Sequence, residues 1–373
     1  MNVTIFFTYN MSLSEWDKLG IIDREIKLYN HLSEKYNVNF TFVTYGDIED
    51  LSFSYKLKNI DIIPIYNLLQ KPKNKYIQFI KSFFIPFKIK NLLKDSDIYK
   101  TNQLYGSWVP IILKIIKNKP LIIRTGFDLL SFRIKEKKNI IKLAFYFLLT
   151  QAAALASSLY FVTTKNDKKF LLKNFIWFNK SKLQIIPNWI TETDYSGPEQ
   201  RKKNRILSVG RLEEQKNFDN LIKVFKDSNL EIDIVGTGSL EKKLKETAIE
   251  SNVKVNFLGS INHEKLLEIY KDYRYFVLYS TFEGHPKSLL EAMSRGCICF
   301  VNVDTNTIEI IEDKVNGFDI NKLQKSLPES IKNLNDQKEK QTYISKNAFK
   351  FTIENYSLEF IAEKEKLAYG SIL

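Results

Sequence analysis

Short apolar runs alternate with stretches of helical periodicity along most of the chain. Val3–Phe7, Val38–Thr44, Ile60–Pro64, Asp97–Thr101, Leu121–Arg124, Leu159–Thr163 and Leu183–Pro187 read as strands, each bounded by polar or helical sequence. Strands that alternate with helices predict a parallel sheet covered by helices on both faces. The polar stretch SGPEQRKKNR, Ser196–Arg205, interrupts the rhythm and reads as a linker. Beyond it Ile206–Val209, Ile232–Val235, Lys254–Leu258, Tyr275–Tyr279 and Ile298–Val301 read as strands, and Phe218–Phe225, Leu240–Ser251, His263–Tyr270 and Ser288–Ser294 as helices. The expected fold is therefore α/β, with two Rossmann-like doubly wound domains at residues 1–195 and 206–355 joined by residues 196–205. A Lys/Glu-rich amphipathic helix, Ser357–Tyr369 within the terminal residues 356–373, is expected to pack back on the first domain.

Size agrees with two domains, since 373 residues exceed the length at which one hydrophobic core usually divides. With 44% hydrophobic and 27% charged residues, and with Gly and Pro sparse, neither disorder nor a fibrous repeat is indicated. Cys297 and Cys299 stand in an apolar run with no second pair to complete a zinc site or a disulfide framework, so they read as small buried strand residues. The opening MNVTIFFTYN lacks a basic segment and a small-residue cleavage site, which reads as a first strand and not a signal peptide. A cytoplasmic protein follows, with a peripheral position on the inner face of the cytoplasmic membrane left open.

Charge changes this picture at one place. The formal net charge is +13, and residues 1–190 hold 29 Lys and Arg against 14 Asp and Glu, so the excess is N-terminal. Its densest part, KPKNKYIQFIKSFFIPFKIKNLLK (Lys71–Lys94), interleaves Lys with Phe and Ile and contains no acidic residue. That pattern suits contact with an anionic membrane surface, and it equally suits an amphipathic helix with a solvated Lys face. No nucleic-acid motif accompanies the charge. Leu143–Thr164 carries no charge over 22 residues, but its Ala/Ser-rich middle and its strand-like end, LYFVTT, favour a buried helix and a buried strand over a membrane span.

In an open parallel sheet, ligands bind beyond the C-terminal ends of the strands, so candidate chemistry is sought in the loops that follow them. In SVGRLEEQKN, Gly210 lets the backbone approach a ligand, and Arg211 with Lys216 could clamp a diphosphate or simply be exposed charges. In VGTGSL, Gly236 and Gly238 form a tight turn between a strand and a helix, although the third glycine of a dinucleotide fingerprint is missing. In STFEGHPKSLLEAMSRG, Glu283 lies at a strand exit and Glu291 about one turn inside a helix that starts near Lys287. The amides of Lys287, Ser288 and Leu289 at that helix start suit a phosphate.

EGHPKSLLEAMSRG, read with SVGRLEEQKN, VGTGSL, FLGSI and NGF (Asn316–Phe318), resembles the C-terminal domain of the large retaining glycosyltransferase family with the GT-B fold, often called family four or glycosyl transferases group 1. The resemblance covers residues 205–320 in the family's motif order, and the two glutamates with seven residues between them are its most specific mark. IIPNWI, Ile185–Ile190, resembles the segment that ends the family's first domain, with Trp189 where glycine is usual. The resemblance implies two domains facing a cleft and transfer of a sugar from a nucleotide-diphosphate donor with retention of configuration and no covalent sugar intermediate. It implies that Arg211 and Lys216 hold the diphosphate, Glu291 the ribose and Glu283 the sugar hydroxyls, with Gly284, His285, Pro286, Lys287 and Ser288 lining the pocket.

The N-terminal domain would bind the acceptor, but the family's paired glycines are missing there and only Gly20 lies near. Where many members carry a histidine this chain has RTGFD, which makes Arg124 and Asp128 acceptor-side candidates, the alternative being a turn with an exposed salt bridge. Asp95-Ser96-Asp97 has the spacing of a metal-dependent sugar transferase but opens a strand, so neither a metal nor another cofactor is expected. The basic first domain makes a lipid-linked saccharide or a growing bacterial surface polysaccharide or lipopolysaccharide the expected acceptor, and the Lys-, Ile- and Asn-rich composition suggests an AT-rich bacterial genome. Rival readings are another GT-B reaction such as sugar-nucleotide epimerisation, a non-catalytic membrane-bound basic protein, or a nicotinamide oxidoreductase, for which VGTGSL lacks the glycine pattern.

Overall fold

The computed structural model describes residues 1–126, 140–176 and 178–373. Their strands form two separate parallel sheets. The first runs through β1 (Asn2–Phe6), β2 (Asn39–Thr44), β3 (Ile60–Pro64), β4 (Ile98–Thr101), β5 (Leu121–Arg124), β6 (Leu159–Val162) and β7 (Leu183–Ile185) in the order β3-β2-β1-β4-β5-β6-β7. The second runs through β8 (Lys202–Val209), β9 (Glu231–Val235), β10 (Val255–Phe257), β11 (Tyr273–Leu278), β12 (Ile298–Val301) and β13 (Phe318–Asp319) in the order β10-β9-β8-β11-β12-β13. Strand order reverses at β1/β4 in the first sheet and at β8/β11 in the second, where the following helices diverge to opposite faces and leave a crevice. All the strands expected from the apolar runs are present; β13 is additional, its two residues being too few to carry a periodicity.

Local chemistry explains the element ends. The helix Trp108–Lys117 stops at Asn118, whose left-handed conformation (φ 50°) turns the chain into β5, and all four residues of β5 are buried. The uncharged segment Leu143–Thr164 runs through most of the helix Ile140–Ala156 and then β6. Among the described residues no helix is long and apolar enough to cross a membrane.

The chain divides into one unit of Met1–Pro187 with Ala362–Leu373 and another of Asn188–Ile361. This moves the boundary from the expected linker at 196–205. Those residues are polar, as a linker is, but two guanidinium groups tie them to the second unit. Arg201 donates to the carbonyl oxygens of Ser196 and Arg295, and Arg274 donates to those of Pro198 (2.9 Å) and Glu199 (2.8 Å). Lys202–Arg205, expected to be the linker's end, instead begin β8, with Lys202 opposite Tyr273 and Arg205 opposite Glu231.

The closing helix, Leu358–Gly370, joins the first unit through charge. Glu365 is fully buried and accepts hydrogen bonds from Lys100 on β4, from Arg124 Nη1 at the end of β5 (2.9 Å) and from the Tyr369 hydroxyl (2.5 Å). Burial pushes the Lys100 ammonium down to about 8. Burial also opposes the Glu365 carboxylate, but the Lys100 and Arg124 charges outweigh it and hold its pKa below the ordinary carboxylate range.

Candidate functional site

The loops after β8, β9, β10 and β11 interlock at the C-terminal ends of the second sheet. Gly236, just past β9, has φ +141°, and a Cβ there would lie 2.0 Å from the Gly210 carbonyl oxygen, so only glycine fits. Gly210 N donates to Val235 O (3.0 Å), and Gly236 N to Gly259 O (2.8 Å) in the loop after β10. Gly238 is pressed against Leu212 in the same way, with Leu212 N donating to Thr237 O at 2.9 Å. Lys216 folds back over Gly210, its Cδ and Cε 3.0 Å from where a Cβ would stand.

Lys216 Nζ meets Glu283 Oε1 at 2.5 Å, and both side chains are largely buried. The same oxygen accepts from Ser280 Oγ at 2.6 Å. The Glu283 backbone is fixed by two residues after β12: its amide donates to Asp304 Oδ2 (2.7 Å), and its carbonyl accepts from Asn306 Nδ2 (2.8 Å). Gln215 binds the same loop, donating to Phe282 O at 2.9 Å and accepting from Thr281 N at 2.9 Å. The carboxylate is thus held at the exit of β11 with a cation against it and a rigid backbone behind it.

Pro286 caps the helix Lys287–Ser294, which starts where the sequence placed it. Its carbonyl takes Leu290 N at 3.3 Å, so the first-turn amides have no acceptor within the helix and point out of its positive end. Lys287 and Ser288 flank that end half-buried, whereas the Leu289 side chain is fully buried in the core, leaving only its amide for a ligand. Gly284 and Pro286 are buried. His285 is 6% exposed, with its ring edge-on to Tyr356 at 5.1 Å and its carbonyl accepting from Asn188 Nδ2 at 2.8 Å.

Glu291, one turn into the helix, is 5% exposed and lies 2.9 Å from His263 Nε2 through Oε1. The Tyr270 hydroxyl is 3.5 Å from Oε2, and burial, followed by the Glu291 charge, pushes that hydroxyl well above its ordinary pKa. His263 opens the helix that follows the β10 loop, behind Asn262, whose side chain accepts from Lys265 N. The structure therefore brings Gly210, Lys216, Gly236 and Glu283 together, and Gly259 to His263 connects them along the chain to Glu291. Arg211 is exposed, and among the described residues no side-chain hydrogen bond or ion pair holds it.

Sequence reasoning missed three residues here: His263, Asp304 and Asn306. The signal available for the last two was the polar run NVDTNT after an apolar strand, and for His263 its place just beyond FLGSI.

The acceptor-side candidates fall differently. Arg124 is 8% exposed and engaged with Glu365, so the salt bridge expected at the surface is a buried one. Gly20 takes φ +67° just after the helix Leu13–Lys18, and nothing lies within 4 Å of a Cβ there, so its role is a helix stop. Asp128 lies outside the described residues. Asp95 and Asp97 precede β4 at its N-terminal end, where Asp97 accepts from Asn2 N at 2.8 Å. Cys297 and Cys299 are buried free thiols, and burial pushes Cys297 up to about 12.

Residues 190–351 match the family Glycosyl transferases group 1. An uncharacterized glycosyltransferase of Methanocaldococcus jannaschii is 30% identical over 215 residues, 55% of each chain. The capsular polysaccharide biosynthesis glycosyltransferase CapH of Staphylococcus aureus is 26% identical over 76% of this chain and 81% of its own. The UDP-Gal:alpha-D-GlcNAc-diphosphoundecaprenol alpha-1,3-galactosyltransferase of Escherichia coli is 27% identical over 64% of this chain and 70% of its own. The chain spans only 55% and 27% of the first two curated relatives it matches. Among solved structures, sucrose-phosphate synthase from Thermosynechococcus elongatus superposes with a TM-score of 0.78 at 15% identity, covering 100% of this chain and 99% of its own. Anabaena HepE in complex with UDP gives 0.73 at 13% identity over 100% of both. The chain has the two-sheet fold of GT-B glycosyltransferases, and its residues 190–351 match the glycosyl transferases group 1 family.

Proposed function

We propose that this protein transfers a hexosyl group from a nucleotide-diphosphate sugar to a saccharide or lipid-linked saccharide, with retention, in the synthesis of a bacterial surface polysaccharide or lipopolysaccharide. The observation that carries this reading is the Lys216–Glu283 pair, set beside the Gly210–Gly236 backbone contact where strand order reverses. The glycines let a flat or anionic group reach the backbone, and Lys216 supplies charge for a diphosphate that displaces it from Glu283. Glu283, released from the ammonium, accepts from the sugar hydroxyls, and Glu291 accepts from the ribose. Arg211, exposed and without a fixed partner, closes on the diphosphate from solvent.

As the glycosidic bond breaks, negative charge builds on the leaving phosphate. Lys216, Arg211 and the first-turn amides of Lys287–Ser294 stabilise it, and no metal or other cofactor is required. The leaving phosphate then takes the acceptor's proton. Support for the donor class comes from the HepE complex with UDP, and for a lipid-linked acceptor from the Escherichia coli galactosyltransferase. The first unit would hold the acceptor and rest peripherally on the inner face of the cytoplasmic membrane. A thermal-shift screen of nucleoside diphosphates and their sugars tests the donor assignment, because a ligand of the folded state raises its melting temperature. Chelator-resistant transfer with an α-configured product from an α-configured donor supports the chemistry proposed.

A further inference from the structure

The helix Lys75–Ser82 turns Gln78, Phe79 and Ser82 inward, with Phe79 edge-on to Tyr9, Trp108 and Phe145, and leaves a second apolar face outside. Gln78 and Ser82 are buried, at 6% and 1% exposure, while Tyr76, Ile77 and Ile80 are 83%, 48% and 60% exposed. Hydrogen bonds fix this orientation. Gln78 Nε2 donates to Asn10 Oδ1 (2.8 Å) and to the Tyr66 hydroxyl (2.6 Å), and Ser82 Oγ accepts from Trp108 Nε1 (2.9 Å). Rotating the helix to bury Tyr76, Ile77 and Ile80 would strand these groups and pull Phe79 from the core, so that face stays outside. Phe84 and Phe87 extend it, at 61% and 52% exposure.

A helix with only a solvated lysine face, the alternative open from sequence, would keep its large apolar side chains inside. Here aromatic and aliphatic side chains face outward among exposed ammonium groups. Lys71, Lys73, Lys75, Lys81, Lys88 and Lys94 are all exposed, and no acidic residue lies between Lys71 and Lys94. Beside them is a cavity of about 440 Å³ whose lining includes Leu69, Phe84 and Ile85 together with Lys81 and Lys88. An apolar recess carrying two ammonium groups matches a lipid with an anionic headgroup. A second copy of this chain would set like charge against like.

We propose that residues 71–94 are a membrane-docking face for anionic lipid, with Tyr76, Ile80, Phe84 and Phe87 entering the interface and the surrounding lysines pairing with headgroups. This rests on the peripheral membrane placement proposed above and deepens it by naming the face in contact; it shares no residue with the donor site. It therefore stands or falls on its own experiment.

The full-length protein is sedimented with phosphatidylglycerol vesicles or with phosphatidylcholine vesicles, at low and high salt. The wild type is expected to bind the anionic vesicles in a salt-sensitive way. Phe84→Asp/Phe87→Asp should weaken that binding about tenfold or more, as should Lys81→Glu/Lys88→Glu. These positions are exposed, so unchanged melting curves are expected and guard against misfolding. The proposal is overturned if the wild type stays in the supernatant, if the stable variants bind as it does, or if the substitutions dissolve a dimer of the chain and leave vesicle binding untouched.

Discussion

His263 Nε2 lies 2.9 Å from Glu291 Oε1, joining the first turn of the helix after β10 to the helix Lys287–Ser294. Glu291 is 5% exposed, so its carboxylate direction is set by this contact and by the packing around it, and not by solvent. In the proposed function Glu291 meets the ribose, which makes His263 a positioning residue for the nucleotide. His263→Ala should raise the dissociation constant of the nucleoside diphosphate roughly tenfold, and His263→Gln, which keeps a donor, should recover part of it. Calorimetric titration of both variants checks this; equal affinities in wild type and both variants would assign the contact to packing alone.

Lys216 and Glu283 form an ion pair that the proposed donor must open. Lys216→Ala should lower kcat/KM by about two orders of magnitude or more in protein that still folds, since what is lost is stabilisation of the leaving diphosphate. Glu283→Gln should lower transfer and retain most nucleoside diphosphate affinity. Steady-state kinetics beside titration with the bare nucleotide separates the two roles.

Gly236 should not tolerate a side chain. Gly236→Ala places a Cβ 2.0 Å from Gly210 O at φ +141°, so a loss of about 2 kcal/mol or more is expected, with the loop after β8 pushed away from its position. Gly20→Ala meets nothing within 4 Å and bears only the cost of φ +67°. Denaturant unfolding of the two variants should rank Gly236 as the more damaging.

Glu365 is predicted to matter most in neutral solution. Its folded pKa is depressed by Lys100 and Arg124 against the opposing effect of burial, so its contribution is present above the unfolded carboxylate range and is lost as pH falls through the folded value. Glu365→Gln leaves two buried cations uncompensated and should cost about 3–5 kcal/mol at pH near 7. That difference from wild type should shrink in acid, which unfolding curves across a pH series would display.

The strands, their order along the chain and the loops proposed to hold the donor were legible in sequence because they rest on local signals: short apolar runs, glycines after strands, a charged helix start. What was not legible depends on distant partners. Arg124 reads as exposed until Glu365, 241 positions away, is seen to fold onto it. The stretch 196–205 has linker composition, yet Arg201 and Arg274 bind its carbonyl groups. The helix at residues 75–82 carries apolar residues on two faces, and sequence cannot tell that Phe79 enters the core while Tyr76, Ile77 and Ile80 stay outside.

The proposed function depends on one group of loops, those after β8, β9 and β11, forming a diphosphate-sugar site. Titration of a nucleoside diphosphate series into wild type, Lys216→Ala and Glu291→Ala addresses it directly. At least one nucleotide is expected to bind the wild type, and each substitution should weaken it about tenfold or more in protein that still unfolds cooperatively. Equal binding by all three proteins, or no nucleotide binding by a folded wild type, would contradict it.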